Sequence, residues 1–262
     1  MESGDGTARK RDRAARQRLI VDHILEHGHA DIAELISLTG VSTMTVHRDL
    51  DDLASRGLAR RVHGGVSALP TSVFESSSEF RMQRHIEEKE LLARTAVEFI
   101  DSGMSIMIDD STTAYALARH IPHIGDVTVI SNYRRVLDLL KDTNDVRLIM
   151  LGGEYSRTHD SFIGPPSETG LTTYATDVVF LSTSTINTDT AFHQEQDVVM
   201  MKRGMLRCGT RRVLMVDSSK VGRTSLHHFA ALDEFTDVIL TSQVPQATMD
   251  KIAEHASVHV AS

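Results

Sequence analysis

The stretch VSTMTVHRDLDDL, Val41 to Leu53, crowds small hydroxyl side chains, an imidazole and a guanidinium into one short segment. Ser42, Thr43, Thr45, His47 and Arg48 offer hydrogen-bond donors and acceptors of different lengths, the equipment needed to reach base edges and phosphates of duplex DNA. Arg60, Arg61 and His63 follow closely and add positive charge for a phosphate backbone. A second set of polar residues comes later, each part of it just after an apolar run. Asp109, Ser111, Thr112 and Thr113 belong to DDSTT, where hydroxyls and free N–H groups at a helix start suit an anion. Asn132 ends another apolar run. Gly152 and Gly153 end a third, and glycine lets a ligand approach the backbone closely. Lys220, in DSSKVG, supplies a point charge for a phosphate or a carboxylate.

Those side chains act together only if helices and strands of the right phase carry them. Leu19, Ile20, His23, Ile24 and Leu25 recur at helical spacing and predict a helix from about Ala14 to Glu26. Asp31 and Glu34 resemble a capping box opening a short helix whose apolar side is Ile32, Leu35, Ile36 and Leu38. Ser42 is a suitable N-cap for the next helix, with Met44, Val46, Leu50 and Leu53 as its seam. The run LARRVHGGV then reads as a two-stranded wing. In a helix-turn-helix of this order the last helix enters the major groove N-terminal end first. Asp49, Asp51 and Asp52 would lie further along, clear of the DNA.

Residues 67–78 are serine-rich and read as a linker. A helix from about Glu79 to Ile100, broken near Glu88, opens the larger part of the chain. Apolar β-type runs at 105–108, 126–130, 146–151, 177–181, 212–216 and 237–240 then alternate with helical ones at 112–120, 133–140 and 198–208. This pattern predicts a mainly parallel sheet covered on both faces. The polar strand ends would share one edge, where open α/β sheets bind ligands. The expected organisation is a basic disordered tail over 1–13, an all-α winged helix-turn-helix over 14–66, a linker over 67–78, and an α/β effector-binding and oligomerisation domain over 79–262.

The 262 residues are 40% hydrophobic and 24% charged, enough to bury more than one core. Residues 1–66 hold ten basic and ten acidic side chains, so the net charge of −8 falls entirely on the remainder. That excludes a protein basic throughout that coats nucleic acid. One cysteine, Cys208, cannot form an intrachain disulfide, and no apolar run has the length of a membrane span or signal peptide, so a cytoplasmic location is expected. Among the 14 histidines, His193, His227 and His228 come nearest to a cluster, but no His-x-x-x-His or His-x-His spacing sits on a defined element with a nearby cysteine, and no metal is expected.

The segment VSTMTVHRDLDDLASRGLARRVHGGV resembles the signature of the DeoR family of bacterial transcriptional regulators, whose usual form is VSxxTIRRDLxxLxxxGxxxRxHGG. His47 stands where that form has arginine. The resemblance extends through the larger part, where the family's AspSerGlyThrThr-like loop, ThrAsn, GlyGly and AspxSerLysPheGly motifs line an effector pocket. It implies a fold similar to ribose-5-phosphate isomerase and a repressor-type regulator of a carbohydrate operon. The implied partners are double-stranded operator DNA and a phosphorylated sugar or polyol, in a dimer or tetramer, with no cofactor. Carried over residue by residue, Asp109, Ser111, Thr112, Thr113, Asn132, Gly152, Gly153 and Lys220 are the effector residues. Ser111 replaces the loop glycine, and Leu181 to Gln196 carries SerThrSer where the family often has glycines.

Two other functions use the same residues. An isomerase-like enzyme with an attached DNA-binding segment needs a carboxylate base and an oxyanion partner, for which Asp109 and Lys220 are the candidates; no separate base is evident, and no catalytic residue is assigned. An effector-independent DNA-binding protein would give no response to sugar phosphates.

Overall fold

Asp31 and Gly40 bracket a helix in the way their chemistry predicts. The Asp31 carboxylate accepts the Glu34 N–H at 2.8 Å, and Gly40, at φ 68°, donates its N–H to the Ile36 carbonyl at 2.9 Å. A computed structural model describes residues 3–56, 58–68 and 78–262. The chain forms two compact units, Met1–Ser76 and Ser77–Ser262. The expected linker falls largely on residues 69–77, outside the described residues.

In the smaller unit, α1 (Ser3–His27), β1 (His29–Asp31), α2 (Ile32–Thr39), α3 (Thr43–Ser55), β2 (Arg60–Val62) and β3 (Gly65–Ser67) follow in order. The first helix begins well before Ala14 and takes in most of the segment expected as a disordered tail. The part of that segment next to Ala14, ARKRDR, is mostly alanine, arginine and lysine, which favour helix. Ile20, Ile24, Leu35, Val46, Leu50, Leu53 and Val66 form the core. Met44, expected in the α3 seam, is 71% exposed. The helix instead turns Val46, Asp49, Leu50 and Leu53 inward, and Met44 lies outside that stripe. The wing is three-stranded, in the order β1-β3-β2. Gly65 is required there: a Cβ would stand 2.2 Å from the Ala30 carbonyl oxygen.

In the larger unit the helix expected from Glu79 is two helices, α4 (Ser78–Met82) and α5 (Ile86–Val97). The break falls at Gln83–His85, ahead of Glu88, and His85 sits in the left-handed region at φ 49°. There follow β4 (Ser105–Ile108), α6 (Thr112–Ala118), β5 (Val127–Ser131), α7 (Arg134–Leu140), β6 (Val146–Met150), β7 (Glu154–Ser156), β8 (Ser161–Ile163), α8 (Pro165–Leu171), β9 (Thr176–Leu181), β10 (Thr185–Ile186), β11 (Thr190–His193), α9 (Gln196–Cys208), β12 (Gly209–Val216), β13 (His227–Ala231), β14 (Asp237–Thr241), α10 (Gln246–Ile252) and β15 (Ser257–Ala261).

Seven strands make one parallel sheet in the order β15-β14-β12-β9-β4-β5-β6. Both faces are buried over the central strands, which is why these read as near-continuous apolar runs, while the edge strands β6 and β15 are partly exposed. Ile106, Ile108, Phe180 and Met215 meet α5, α6 and α7 on one face, and Met107, Val179, Leu214 and Leu240 meet the α9 and α10 side on the other. From β4 the chain builds outward through β5 and β6, then returns to add β9 on the other side of β4. The β4/β9 boundary is therefore the topological switch point, where a crevice opens at the carboxyl ends of the strands. A hairpin of β7 with β8 and a small sheet of β10, β11 and β13 flank that edge.

Candidate functional site

Along α3 the outward side chains divide by what they already hold. Ser42 caps the helix, its hydroxyl accepting the Thr45 N–H at 3.4 Å, and the Ser42 and Thr45 hydroxyls bond each other at 3.0 Å. Thr43 and Arg48 are exposed. Arg48 and His63 have no side-chain hydrogen bond or ion pair to another described residue. His47 is half-buried, and its Nδ1 lies 2.9 Å from an Arg61 guanidinium nitrogen. Arg60 is exposed, with one bond to the Ser67 hydroxyl at 3.4 Å. The face thus offers Thr43, His47, Arg48, Arg60 and His63 to a partner, with Ser42 and Thr45 shaping the helix start.

The acidic residues of α3 are not idle. Asp49 is buried and pairs with Arg16, while Gln17 donates to Asp49 at 3.2 Å and to Asp52 at 2.9 Å. Arg13 reaches Asp52 at 3.2 Å, and Arg56 donates to the Gln17 side-chain amide oxygen at 3.2 Å. These contacts bind α1 to α3. They also occupy Arg13, Arg16 and Arg56, three of the basic side chains that composition alone would offer to phosphates.

At the switch point of the larger unit the expected effector residues are mostly buried. Asp109, at the end of β4, accepts the Ser111 N–H at 3.0 Å and, across the crevice, the Ser182 N–H at the end of β9 at 2.8 Å. It also holds the Lys202 ammonium, which reaches Asp110 at 3.4 Å. Asp110 accepts the Ser161 hydroxyl at 2.7 Å. With both oxygens occupied, Asp109 is a scaffold for the crevice and is not offered as a proton-abstracting base. Ser111 is spent as well, accepting the Ala114 N–H at 3.0 Å as the cap of α6. Lys220 donates to the Ser182 hydroxyl at 3.0 Å and lies 3.4 Å from Asp217. Asn132 donates its amide to the Phe162 carbonyl at 3.0 Å, leaving its own side-chain oxygen buried without a partner. The Thr113 hydroxyl is also buried and unpartnered, and Thr112 is buried beside it.

The structure therefore brings Asp109, Ser111, Thr112, Thr113 and Lys220 to the ends of β4, β9 and β12. Asn132 sits next door at the end of β5. Gly152 and Gly153 stand further out, at the end of the edge strand β6, where a Cβ on Gly153 would lie 2.2 Å from the Ser167 hydroxyl. That glycine serves the close approach of α8 and not the β4/β9 crevice.

Lys202, Ser182, Asp110 and Ser161 were not among the expected residues. Lys202 left a readable trace: Val198, Met201, Lys202 and Met205 share the buried stripe of α9, so a cation stands where helical spacing calls for an apolar side chain. Such a cation must be paired. Ser182 and Ser161 left none, since serines at strand ends are ordinary turn residues.

Electrostatics follow from this crowding. Burial opposes ionisation of Asp110, but the Lys202 ammonium, His159 and the Ser161 hydroxyl outweigh it and hold the carboxyl well below the usual range. Burial likewise disfavours charge on Lys202, yet Asp109 and Asp110 raise its pKa above the ordinary lysine value. Burial opposes charge on Asp217 too, but Lys220 and the Ser219 hydroxyl outweigh it and bring the carboxyl down to about 2. Lys89 moves the other way. Burial, then Lys220, lowers it to about 7, and its nitrogen donates to the Arg81 and Arg84 carbonyls at 2.5 and 2.7 Å. Beside it, His85, Glu88 and Asp217 place one ligand atom each within 4.8 Å of one another. The Glu88 carboxylate there already accepts the Ser218 N–H at 2.8 Å and the Thr241 hydroxyl at 2.6 Å. The His193 to Glu195 segment also joins the edge: the His159 ring donates to Glu195 at 3.0 Å, and the Glu195 N–H donates to His193 at 3.1 Å.

A winged helix-turn-helix with a polar, cationic outer face, in one chain with a parallel α/β unit that gathers cations at its switch point, defines a DNA-binding transcription regulator with a separate sensor. Comparison with known proteins agrees. A family described as "DeoR-like helix-turn-helix domain" matches residues 16–72, and "DeoR C terminal sensor domain" matches residues 84–242. The chain is similar to the HTH-type transcriptional regulator GlpR of Haloferax volcanii, 30% identical over 94% of this chain and 96% of that one. It is also similar to the glycerol-3-phosphate regulon repressor of Escherichia coli, 28% identical over 90% and 94%. The L-fucose operon activator of Haemophilus influenzae is 29% identical over 92% and 96%. Among solved structures, a ribose-5-phosphate isomerase in complex with phospho-erythronic acid superposes with a TM-score of 0.39 and 15% identity, over 52% of this chain and 54% of that one. The chain belongs to the DeoR family of transcriptional regulators. Among the described residues no helix is long and apolar enough to cross a membrane.

Proposed function

We propose that the protein is a repressor of a carbohydrate-utilisation operon whose hold on operator DNA is set by a phosphorylated sugar or polyol bound at the switch-point crevice. The observation that carries the reading is the pairing of Lys220 with Ser182 across the ends of β12 and β9, together with the buried, unpartnered Thr113 hydroxyl at the start of α6, the helix that follows β4. A phosphate or sugar hydroxyl there gives Thr113 its missing partner and meets a cation already held in place. Asn132 is a further polar contact; Asp109, Ser111 and Lys202 keep the crevice in shape. On the DNA side, Thr43, His47 and Arg48 face base edges and phosphates, and Arg60 and His63 track the backbone. One such head reads few base pairs, so a symmetric dimer on two half-sites is the working assembly.

Thermal denaturation with glycerol 3-phosphate and a panel of pentose and hexose phosphates tests the sensor. A ligand at a hundredfold its dissociation constant adds about 2.7 kcal/mol of stability. The responding ligand should shift the protein and also change operator affinity, while Lys220→Met should lose the shift. No response to any member of the panel refutes the effector reading and leaves an effector-independent DNA-binding protein.

A further inference from the structure

Of the two basic side chains on the outer strand of the wing, one is not free. Arg61 lies across a turn of α3, with one guanidinium nitrogen 2.9 Å from His47 Nδ1 and another 3.6 Å from the Asp51 carboxylate. His47 and Asp51 are four residues apart, on one face of α3. Arg60, its neighbour, points to the Ser67 hydroxyl and touches neither.

A guanidinium can only donate. Its bond to His47 therefore requires a lone pair on Nδ1, which makes the imidazole neutral with its single proton on Nε2. Nδ1 is used up, and Nε2–H becomes the only polar group the ring can present. We propose that Arg61 is a positioning residue for His47. It fixes the tautomer and ring orientation so that His47 reads a base as a hydrogen-bond donor, and it does not neutralise a DNA phosphate itself. This rests on the assignment of α3 as the reading helix. The natural target of one donor in the major groove is an acceptor edge: guanine N7 or O6, adenine N7, or thymine O4. Asp51 holds the far side of the guanidinium and keeps Arg61 over the helix.

The experiment uses duplexes that the full-length protein itself selects from a random-sequence pool, followed by single-base-pair variants of the winner across a potassium chloride series. Arg61→Ala should flatten discrimination at one base pair by about fivefold or more, the low end for a lost base contact. His47→Ala should act at the same base pair, and the double variant should lose no more. The slope of log affinity against log salt should stay as in the parent for Arg61→Ala. For Arg60→Ala it should fall by about 0.9, the value for one phosphate contact. Arg61→Gln separates charge from donation: its amide can still donate to Nδ1, so discrimination should survive without the positive charge. It also carries the test should the alanine variant fold poorly. If Arg61→Gln loses about 0.9 of salt slope, Arg61 is a phosphate contact and the inference is overturned. Loss of discrimination by Arg61→Ala at a base pair that His47→Ala leaves unaffected overturns it equally. A parent protein that enriches no duplex at low salt refutes the reading helix itself, a distinct failure that takes this inference with it.

Discussion

The two units treat polar side chains in opposite ways. In the smaller one the candidate recognition residues Thr43, Arg48, Arg60 and His63 are exposed, with only a 3.4 Å bond from Arg60 to Ser67 among them, while Arg16 with Asp49 and Gln17 with Asp52 tie α1 to α3. In the larger one, polar residues at the strand ends are buried and are used first by the protein. Asp109 spends its carboxylate on two backbone N–H groups and an ammonium before any ligand arrives. A residue type that signals binding on an open helix face therefore signals scaffolding at a buried sheet edge. The available groups there are the few left over, Thr113 and Asn132, together with a cation that keeps some exposure, Lys220.

Lys202→Met puts the greatest strain on this contrast. Removing the ammonium leaves Asp109 and Asp110 buried without their counter-ion, so the larger unit should lose about 3 to 5 kcal/mol. All four tyrosines lie in that unit, so tyrosine fluorescence in urea reports it directly. A loss smaller than that of Asp49→Ala in the other unit would break the comparison.

Lys89 gives the next effect, and its sign follows from linkage. Its pKa is lowered to about 7 in the folded protein against 10.5 when free, so between those values the unfolded chain binds more protons. Stability should then rise with pH from about 7 to about 10, by up to about 4 kcal/mol, and be flat in this respect below 7. The difference in urea midpoint between the parent and Lys89→Met across that window isolates the contribution; a constant difference sinks it.

Asp49→Ala should cost the smaller unit about 1 to 2 kcal/mol, less than Lys202→Met, because the Arg16 it abandons is partly exposed and can return to water. Circular dichroism of the helical signal during thermal unfolding measures this. The smallest effect belongs to Met44→Ala. At 71% exposure it should change stability by less than about 0.5 kcal/mol, whereas a core methionine would cost several times that. A large loss would return Met44 to the seam.

Most of the architecture could be read from local patterns. The caps at Asp31 and Ser42 and the apolar runs of six of the seven parallel strands declare themselves because short-range chemistry and side-chain period decide them. β15, at the edge of the sheet, does not declare itself in the same way, since SVHVA alternates polar and apolar residues and has no continuous apolar run. Met44 is apolar in type but exposed in position, because the phase of α3 against its neighbours, and not residue type, decides which side chains are buried. Four of the expected effector positions, Ser111, Thr112, Thr113 and Lys220, do converge with Asp109 at the crevice; Gly152 and Gly153 lie at the edge strand, because strand order in a parallel sheet does not follow chain order.

Sequence alone determined the capped helices of the smaller unit, six of the seven parallel strands, the polar outer face of α3 and the membership of both units in one family, since each depends on residues near one another in the chain. Tertiary structure alone decided which charges remain available. Arg61 meets His47 across 14 residues and Lys202 meets Asp109 across 93, and such pairings exist only once the helices and strands are stacked. A hydrogen bond depends on distance in space, and nothing in residue order states which donor arrives first.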